Sequence, residues 1–392
     1  MPLSRLLAIV LPTILPLILV GEGDFACGAY LNGFPADDGF FPIGVWQQSP
    51  DNAGKFQSIG VNTYVGLREG PTEAQLAELA ANGTFVVAAQ NDSALNSPNR
   101  HVIKAWLQQD EPDNAQPIGP WMHGPCIPAA EVARRSHEIK VRDPTRPVVI
   151  NFGRGVADEL WPGRGSCTGD LGYYAIAAAG ADIVSFDIYP VANSEGRPDV
   201  SGKLEYVARG VTNLFKWATA GQSVWTALET TAIQSQHRVT PAQLRAEAWM
   251  ALIHGAKGLC YFVTEWTSGF REDAIFRYPE IVAEVTRLNQ MIRVLAPVLN
   301  APDVHGRVVT SSSLPVDTMV KFHNGRLYLF AIVMTNDPSN VSFSLRGDRG
   351  PVATVLGEDR VVTIVDGTFE DSFPGYGVHL YEIPVARAPQ TP

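Results

Sequence analysis

Eight short runs rich in β-branched and aromatic residues recur along the chain, and no other feature restricts the fold as much. They are FFPIGVW (40–46), VNTYVGL (61–67), TFVVAAQ (84–90), IKAWLQQ (103–109), PVVINFG (147–153), DIVSFDIYP (182–190), SVWTALE (223–229) and GLCYFV (258–263). Each is apolar along most of its length rather than alternating, the pattern of parallel strands buried on both faces. Parallel neighbours need crossover connections, and the intervening segments carry helix signals. Thr72 stands at an N-cap, Leu76 and Leu79 share one face, and Gly83 stops the segment. A second segment ends at Asp143-Pro144, and a third opens on Thr240-Pro241 as N-cap and first helical residue. Eight such units over residues 36–300 predict an α/β fold, a (β/α)8 TIM barrel occupying residues 27–301. A doubly wound open sheet shares the alternation, but no glycine-rich dinucleotide fingerprint follows any strand.

After the long amphipathic helix IVAEVTRLNQMIRVLAPVLNAP the texture changes to short alternating strands, with turn signals at His323-Asn324-Gly325 and Asn336-Asp337-Pro338. A small all-β sandwich is expected over 302–386, followed by a disordered tail, 387–392. At the other end, Arg5 precedes an apolar run from Leu6 to Val20 interrupted by Pro12 and Pro16, which reads as a secretory signal peptide over 1–26. The expected location is therefore secreted or periplasmic. Export would place the cysteines in an oxidising compartment. Cys126 and Cys167 lie in Gly/Pro-rich loops and are expected to pair, Cys260 is expected to be a buried free thiol, and Cys27 is left over.

A net charge of -10 with no Lys/Arg run argues against a nucleic-acid partner. There is no HExxH, CxxC or phosphate-loop motif, so neither a metal nor another cofactor is predicted. Chemistry in this fold sits at the C-terminal ends of the strands. Glu111, in WLQQDEPDNAQ (106–116), follows the fourth run, and Glu229 ends the seventh. Two carboxylates about 5 to 5.5 Å apart can flank a glycosidic bond, one protonating the leaving oxygen while the other attacks the anomeric carbon. Trp46, Gln90 and Asn151 end runs one, three and five and are expected to line the same mouth. Asp110 and Glu265 are the alternative carboxylates, and His123 reads as a structural loop residue.

The QDEP sequence around Glu111, with Glu229 in VWTALETT, resembles the clan A glycoside hydrolases over the barrel, about two thirds of the chain. The resemblance implies Glu111 as acid/base, Glu229 as nucleophile, Tyr189 as its hydrogen-bond partner, Arg68 keeping it ionised, and Trp266 stacking on sugar. Asp187 would bind substrate or brace a loop. Where the clan carries asparagine before the acid/base, this chain has Asp110, which accepts from a substrate hydroxyl but donates only when protonated. The function implied is a secreted retaining glycoside hydrolase acting on β-linked oligo- or polysaccharide. A non-catalytic carbohydrate-binding barrel, or a barrel hydrolase of another bond, shares these features.

Overall fold

The computed structural model describes residues 30–385 apart from 194, 195, 234, 268 and 348. The signal peptide, Cys27 and the tail lie outside the described residues. All eight runs form strands: β1 (Ile43–Trp46), β2 (Thr63–Val65), β3 (Phe85–Ala89), β4 (Ile103–Leu107), β5 (Val148–Phe152), β6 (Ile183–Phe186), β7 in two pieces (Ser223–Val224 and Thr226–Glu229) and β8 (Leu259–Phe262). Neighbours pair in parallel, in sequence order, and β8 returns to β1. The first piece of β7 pairs with β6 and the second with β8. Trp225 between them donates its N–H to Val184 O on β6 at 2.9 Å, and Thr226 donates to Gly258 O at 3.3 Å. One strand thus hands its hydrogen bonds from one neighbour to the next, and the sheet closes into a barrel.

Side chains alternate across this sheet as its pleat requires. Val65, Val87, Ala105, Leu107, Val149, Ile183, Trp225 and Cys260 form an inner cluster with Phe34. Residues of opposite parity, such as Val86, Trp106, Ile150 and Val184, pack outward against the helices. The helices are α1 (Ala53–Ser58), α2 (Glu73–Ala81), α3 (Asp92–Asn96), α4 (Ala129–Arg142), α5 (Gly172–Ala178), α6 (Glu205–Trp217), α7 (Pro241–Ile253) and α8 (Pro279–Leu299). Thr72 and Thr240 each accept from the backbone N–H three residues on, and Gln75 and Gln243 bond back, so both helix starts are capping boxes. Gly83 takes φ +65° just past α2, where a side chain would be strained.

The C-terminal part is a sandwich of two antiparallel sheets. One holds β9 (Val308–Ser312), β12 (Ser339–Leu345) and β15 (Thr368–Phe373). The other holds β10 (Val316–His323), β11 (Arg326–Val333), β13 (Val352–Val355), β14 (Arg360–Thr363) and β16 (Val378–Pro384). Leu329, Val341, Phe343, Phe369 and Tyr381 meet between them. Asn324 and Gly325, both at positive φ, make the two-residue turn joining β10 to β11. The larger sheet packs on α7 and α8, with Phe330 stacked on Trp249 at 5.5 Å. Helix α7 is therefore enclosed by barrel and sandwich, which explains why it lacks a polar face.

Candidate active site at the barrel mouth

Glu111 lies four residues beyond β4, in a loop that the neighbouring loop holds in place. Its φ is +42°, a conformation unfavourable for a side chain and sustained only by surrounding contacts. Those contacts are on the main chain: Glu111 N–H donates to Asn151 O at 2.9 Å, and Glu111 O accepts from Asn114 N–H at 3.0 Å and Gln116 Nε2 at 3.0 Å. Two residues on, Asp113 is fully buried, accepting from Gly153 N–H at 2.8 Å and Tyr174 O–H at 2.9 Å, with the buried Arg164 guanidinium at 3.7 Å. Ala115 N–H donates to Gly163 O at 2.8 Å. The Cys126–Cys167 disulfide joins the same two loops, while Cys260 is a buried free thiol inside the barrel.

A carboxyl cluster results. Asn151 on β5 donates its amide to Asp110 Oδ1 at 3.0 Å. Asp187, just past β6, lies beside Glu111 and Tyr189, near enough for the Glu111 carboxyl to bear on it. Two carboxyl groups placed side by side favour a state in which one keeps a proton. Burial, then the charges of Glu111 and Asp110, push Asp187 well above the ordinary carboxylate range, so Asp187 is the member held neutral. Asp110 is pushed up to about 7, first by burial and then by the Glu111 charge, against the opposing bond from Asn151. Asp113 is raised to about 6 by burial, although the Gly153 N–H bond acts in the other direction.

These shifts fix a sign. A carboxyl group whose folded-state pKa is raised stabilises the fold most below its unfolded value, and that contribution is lost as pH rises through the folded value. For Asp110 the window runs from about 4 to about 7. Asp110→Asn should therefore lose less stability than the parent chain between pH 4 and 7, read as the change in Tm over that interval. An identical pH slope in the two proteins would contradict the electrostatic reading of Asp110.

Glu229 sits elsewhere. It has no exposed surface, and its two oxygens accept from Val191 N–H at 2.8 Å and Ala192 N–H at 2.5 Å, in the loop after β6. Its carboxyl also meets that of Glu247 on α7, equally buried. No other hydrogen-bonding group reaches either Glu247 oxygen among the described residues. Burial, then the Glu229 charge, raise Glu247 well above its usual range, so the proton of this second pair resides on Glu247. The structure brings Asp110, Glu111, Asn151, Asp187 and Tyr189 together and leaves Glu229 sealed beneath the loop that carries Asp187 and Tyr189.

The remaining expected residues divide. Tyr189 begins an aromatic series, with ring centroids 5.3 Å from Phe262, 5.8 Å from Phe262 to Trp266, and 6.1 Å from Trp266 to Phe270. Arg68 covers Phe270 at 4.4 Å, so its partner is this ring rather than Glu229. Trp266 and Phe270 are 40% and 52% exposed at the rim. Trp46 packs against the inner barrel cluster. Gln90 turns outward, donating to Ile139 O on α4 at 3.0 Å, and is a correction to its expected place in the mouth. Glu265 is buried against Tyr278 O–H at 2.5 Å, and His123 is exposed on a short hairpin. Among the described residues no group of three or more His, Cys, Asp or Glu is arranged to hold a metal ion.

Sequence reading missed Glu247, the Asp113–Arg164 pair, and Phe262 and Phe270. Glu247 had a usable signal, a lone acid within the apolar AEAWMALI. Asp113 had none, because its partners lie 40 residues and more away, in an irregular loop and the helix that follows it.

No protein-family model and no curated protein sequence matches the chain. Among solved structures it is similar to a protein from Bacteroides fragilis described as a putative alpha-galactosidase/melibiase, at TM-score 0.51 and 8% identity over 88% of this chain and 80% of that one. A GH30 endoxylanase from Clostridium papyrosolvens aligns at TM-score 0.49 and 12% identity, over 88% of this chain and 97% of that one. A family 51 alpha-L-arabinofuranosidase from Bifidobacterium longum aligns at 0.48 and 12%, over 88% and 96%. All three are described as glycosidases, and at such low identities the likeness shows the fold alone.

Proposed function

We propose that this protein is a glycoside hydrolase whose proton donor is Glu111. The observation that carries the proposal is the convergence of Asp110, Glu111 and Asp187 at the C-terminal mouth of the barrel, with Asp110 held by the Asn151 amide and Asp187 pushed toward its neutral form. Asp110, Glu111 and Asp187 are all half-buried; in this proposal Glu111 contacts the ligand and Asp187 keeps the shared proton. In the reaction Glu111 passes a proton to the leaving oxygen as Asp187 passes its own to Glu111. The C–O bond to the anomeric carbon breaks while a water or carboxylate oxygen bonds to that carbon, and the proton released by the entering water returns to Asp187. A carboxyl proton kept near neutral pH, as burial keeps that of Asp187, is what such a donor pair needs. The aromatic series from Tyr189 to Phe270 offers flat faces to the C–H side of a sugar ring. The disulfide and the apolar N-terminal segment support action outside a reducing cytoplasm.

Glu229 divides two routes. Retention by double displacement requires Glu229 to leave the Val191 and Ala192 amides and enter the mouth; inversion uses water activated by a carboxylate of the cluster. Both Glu229 oxygens being engaged favours an anchoring role for it. The test is a panel of α- and β-aryl glycosides and soluble glycans, with the anomer of the first product followed by NMR. Retention would return Glu229 to the role of nucleophile, whereas inversion would leave it as an anchor. Absence of hydrolysis across the panel, with measurable glycan binding, would replace the hydrolase by a carbohydrate-binding barrel.

A further inference from the structure

The loop after β4 carries a second aromatic feature that the carboxyl cluster does not use. Pro117–Gly119 and Met122–His123 pair as a short hairpin, and Trp121 at its tip is 99% exposed, with φ +61°. Ile118 and Met122 beside it are 66% and 56% exposed. Such a concentration of apolar surface on a short hairpin is a feature that calls for a partner.

The hairpin is firmly attached. Gly124 N–H donates to Gln116 O at 2.7 Å, and the Gln116 side chain donates to the carbonyls of Glu111 and Asn114 and accepts from Gln109 Nε2 at 2.6 Å. The disulfide at Cys126 fixes its outgoing strand. Trp121 is therefore held in relation to the main chain of Glu111 through a single glutamine.

Its position in the ring supplies the direction. In a closed ring of eight strands, β4 and β8 are diametrically opposed. The exposed pair Trp266 and Phe270 follows β8, Trp121 follows β4, and Glu111 and Asp187 belong to the mouth between them. Aromatic surface on both sides of the reacting carboxyls suits a ligand that crosses the mouth and extends beyond it on each side.

We infer that Trp121 forms a distal sugar-binding subsite and that the substrate is a polymeric, uncharged glycan bound across the mouth and cut internally. This inference rests on the hydrolase reading for the cut and on the hairpin alone for the binding. An uncharged polymer is chosen because a chain of net charge -10 repels a polyanion. A pyranose face on an exposed indole is the contact that such a tip can make.

Wild type and Trp121→Ala are to be compared for binding to xylan, galactomannan, mixed-linkage β-glucan and soluble starch by affinity electrophoresis. The variant removes no packing, because the side chain is exposed, so its fold is expected to be intact and circular dichroism verifies this. Polymer affinity should fall about tenfold, and wild-type tryptophan emission should shift to the blue on binding. The ratio of kcat/KM on the polymer to that on the p-nitrophenyl glycoside of the same sugar should fall by a similar factor. Unchanged affinity or an unchanged ratio would overturn the subsite, as would a wild type that binds none of the four polymers. Binding of wild type, but not of Trp121→Ala, to phosphatidylcholine vesicles in place of glycan would assign the hairpin to a lipid surface instead. Polymer binding lost in Trp121→Ala, without hydrolysis of any substrate by wild type, would refute the hydrolase and leave the binding subsite standing.

Discussion

Glu111→Gln is expected to lower kcat/KM by about 100- to 10,000-fold on substrates whose leaving group needs a proton. Glutamine keeps the shape of the side chain and removes the transferable proton. The contacts that hold residue 111 in its unfavourable conformation are main-chain bonds to Asn151, Asn114 and Gln116, which the substitution leaves in place. Tm at pH 7 should accordingly be no lower than the parent's, since the substitution also removes one charge from a crowded, partly buried carboxyl cluster. Aryl glycosides with acidic leaving groups should suffer least, because they depart without protonation. Asp187→Asn should produce a smaller loss together with a shifted pH profile, as expected of a group that acts through Glu111. A Glu111→Gln protein within threefold of wild type on an unactivated glycoside would remove Glu111 from the chemistry.

The second large effect concerns stability. Glu229→Gln places an NH2 group against two backbone N–H donors that now share one carboxylate, and one of those bonds must be lost. The expected cost is about 1.5 to 3 kcal/mol of unfolding free energy, the range for a hydrogen bond to a charged group in a buried place. Glu247→Gln should act oppositely. Its amide can donate to Glu229 without any titrating proton, so the variant should match or exceed the parent at pH 7.5. The sign follows from the raised pKa of Glu247: the parent gains from this pair below about pH 4.5 and loses the gain as pH rises. Urea unfolding of all three proteins at pH 5 and pH 7.5 measures both effects. If Glu229→Gln were as stable as wild type at both values yet inactive, Glu229 would belong to the mouth after all, and the anchoring role would be wrong.

The fold was legible because its determinants are local. Strand runs such as PVVINFG (147–153) are apolar on both faces and lie close in sequence to their turn signals. The Thr72 and Thr240 caps likewise depend on residues three positions apart. The site was legible only as far as strand ends determine it. Glu111, Asn151, Asp187 and Tyr189 converge because each lies at or just past the C-terminal end of a strand. Glu229 also ends a strand, but its direction is set by two amides nearly 40 residues earlier in the chain and by a helix that follows it. Gln90 was misplaced for a related reason. One residue past Ala89, the alternation turns it toward α4, and strand registers read from sequence carry an uncertainty of that size.

The loops after β4 and β5 are bound to each other by hydrogen bonds, a buried ion pair and a disulfide. Asp113, Ala115 and Cys126 on one side meet Gly153, Tyr174, Gly163 and Cys167 on the other. For recombination this makes them a single cassette. A chimaera that exchanges only one of the pair with another barrel would inherit mismatched halves: an orphaned buried aspartate, an unpaired cysteine and a Glu111 released from its conformation. Exchange of residues 108–174 as one block would carry the donor geometry intact. The unit of inheritance for this site is thus a stretch holding both loops with α4 and β5 between them, larger than the loop that bears the acid.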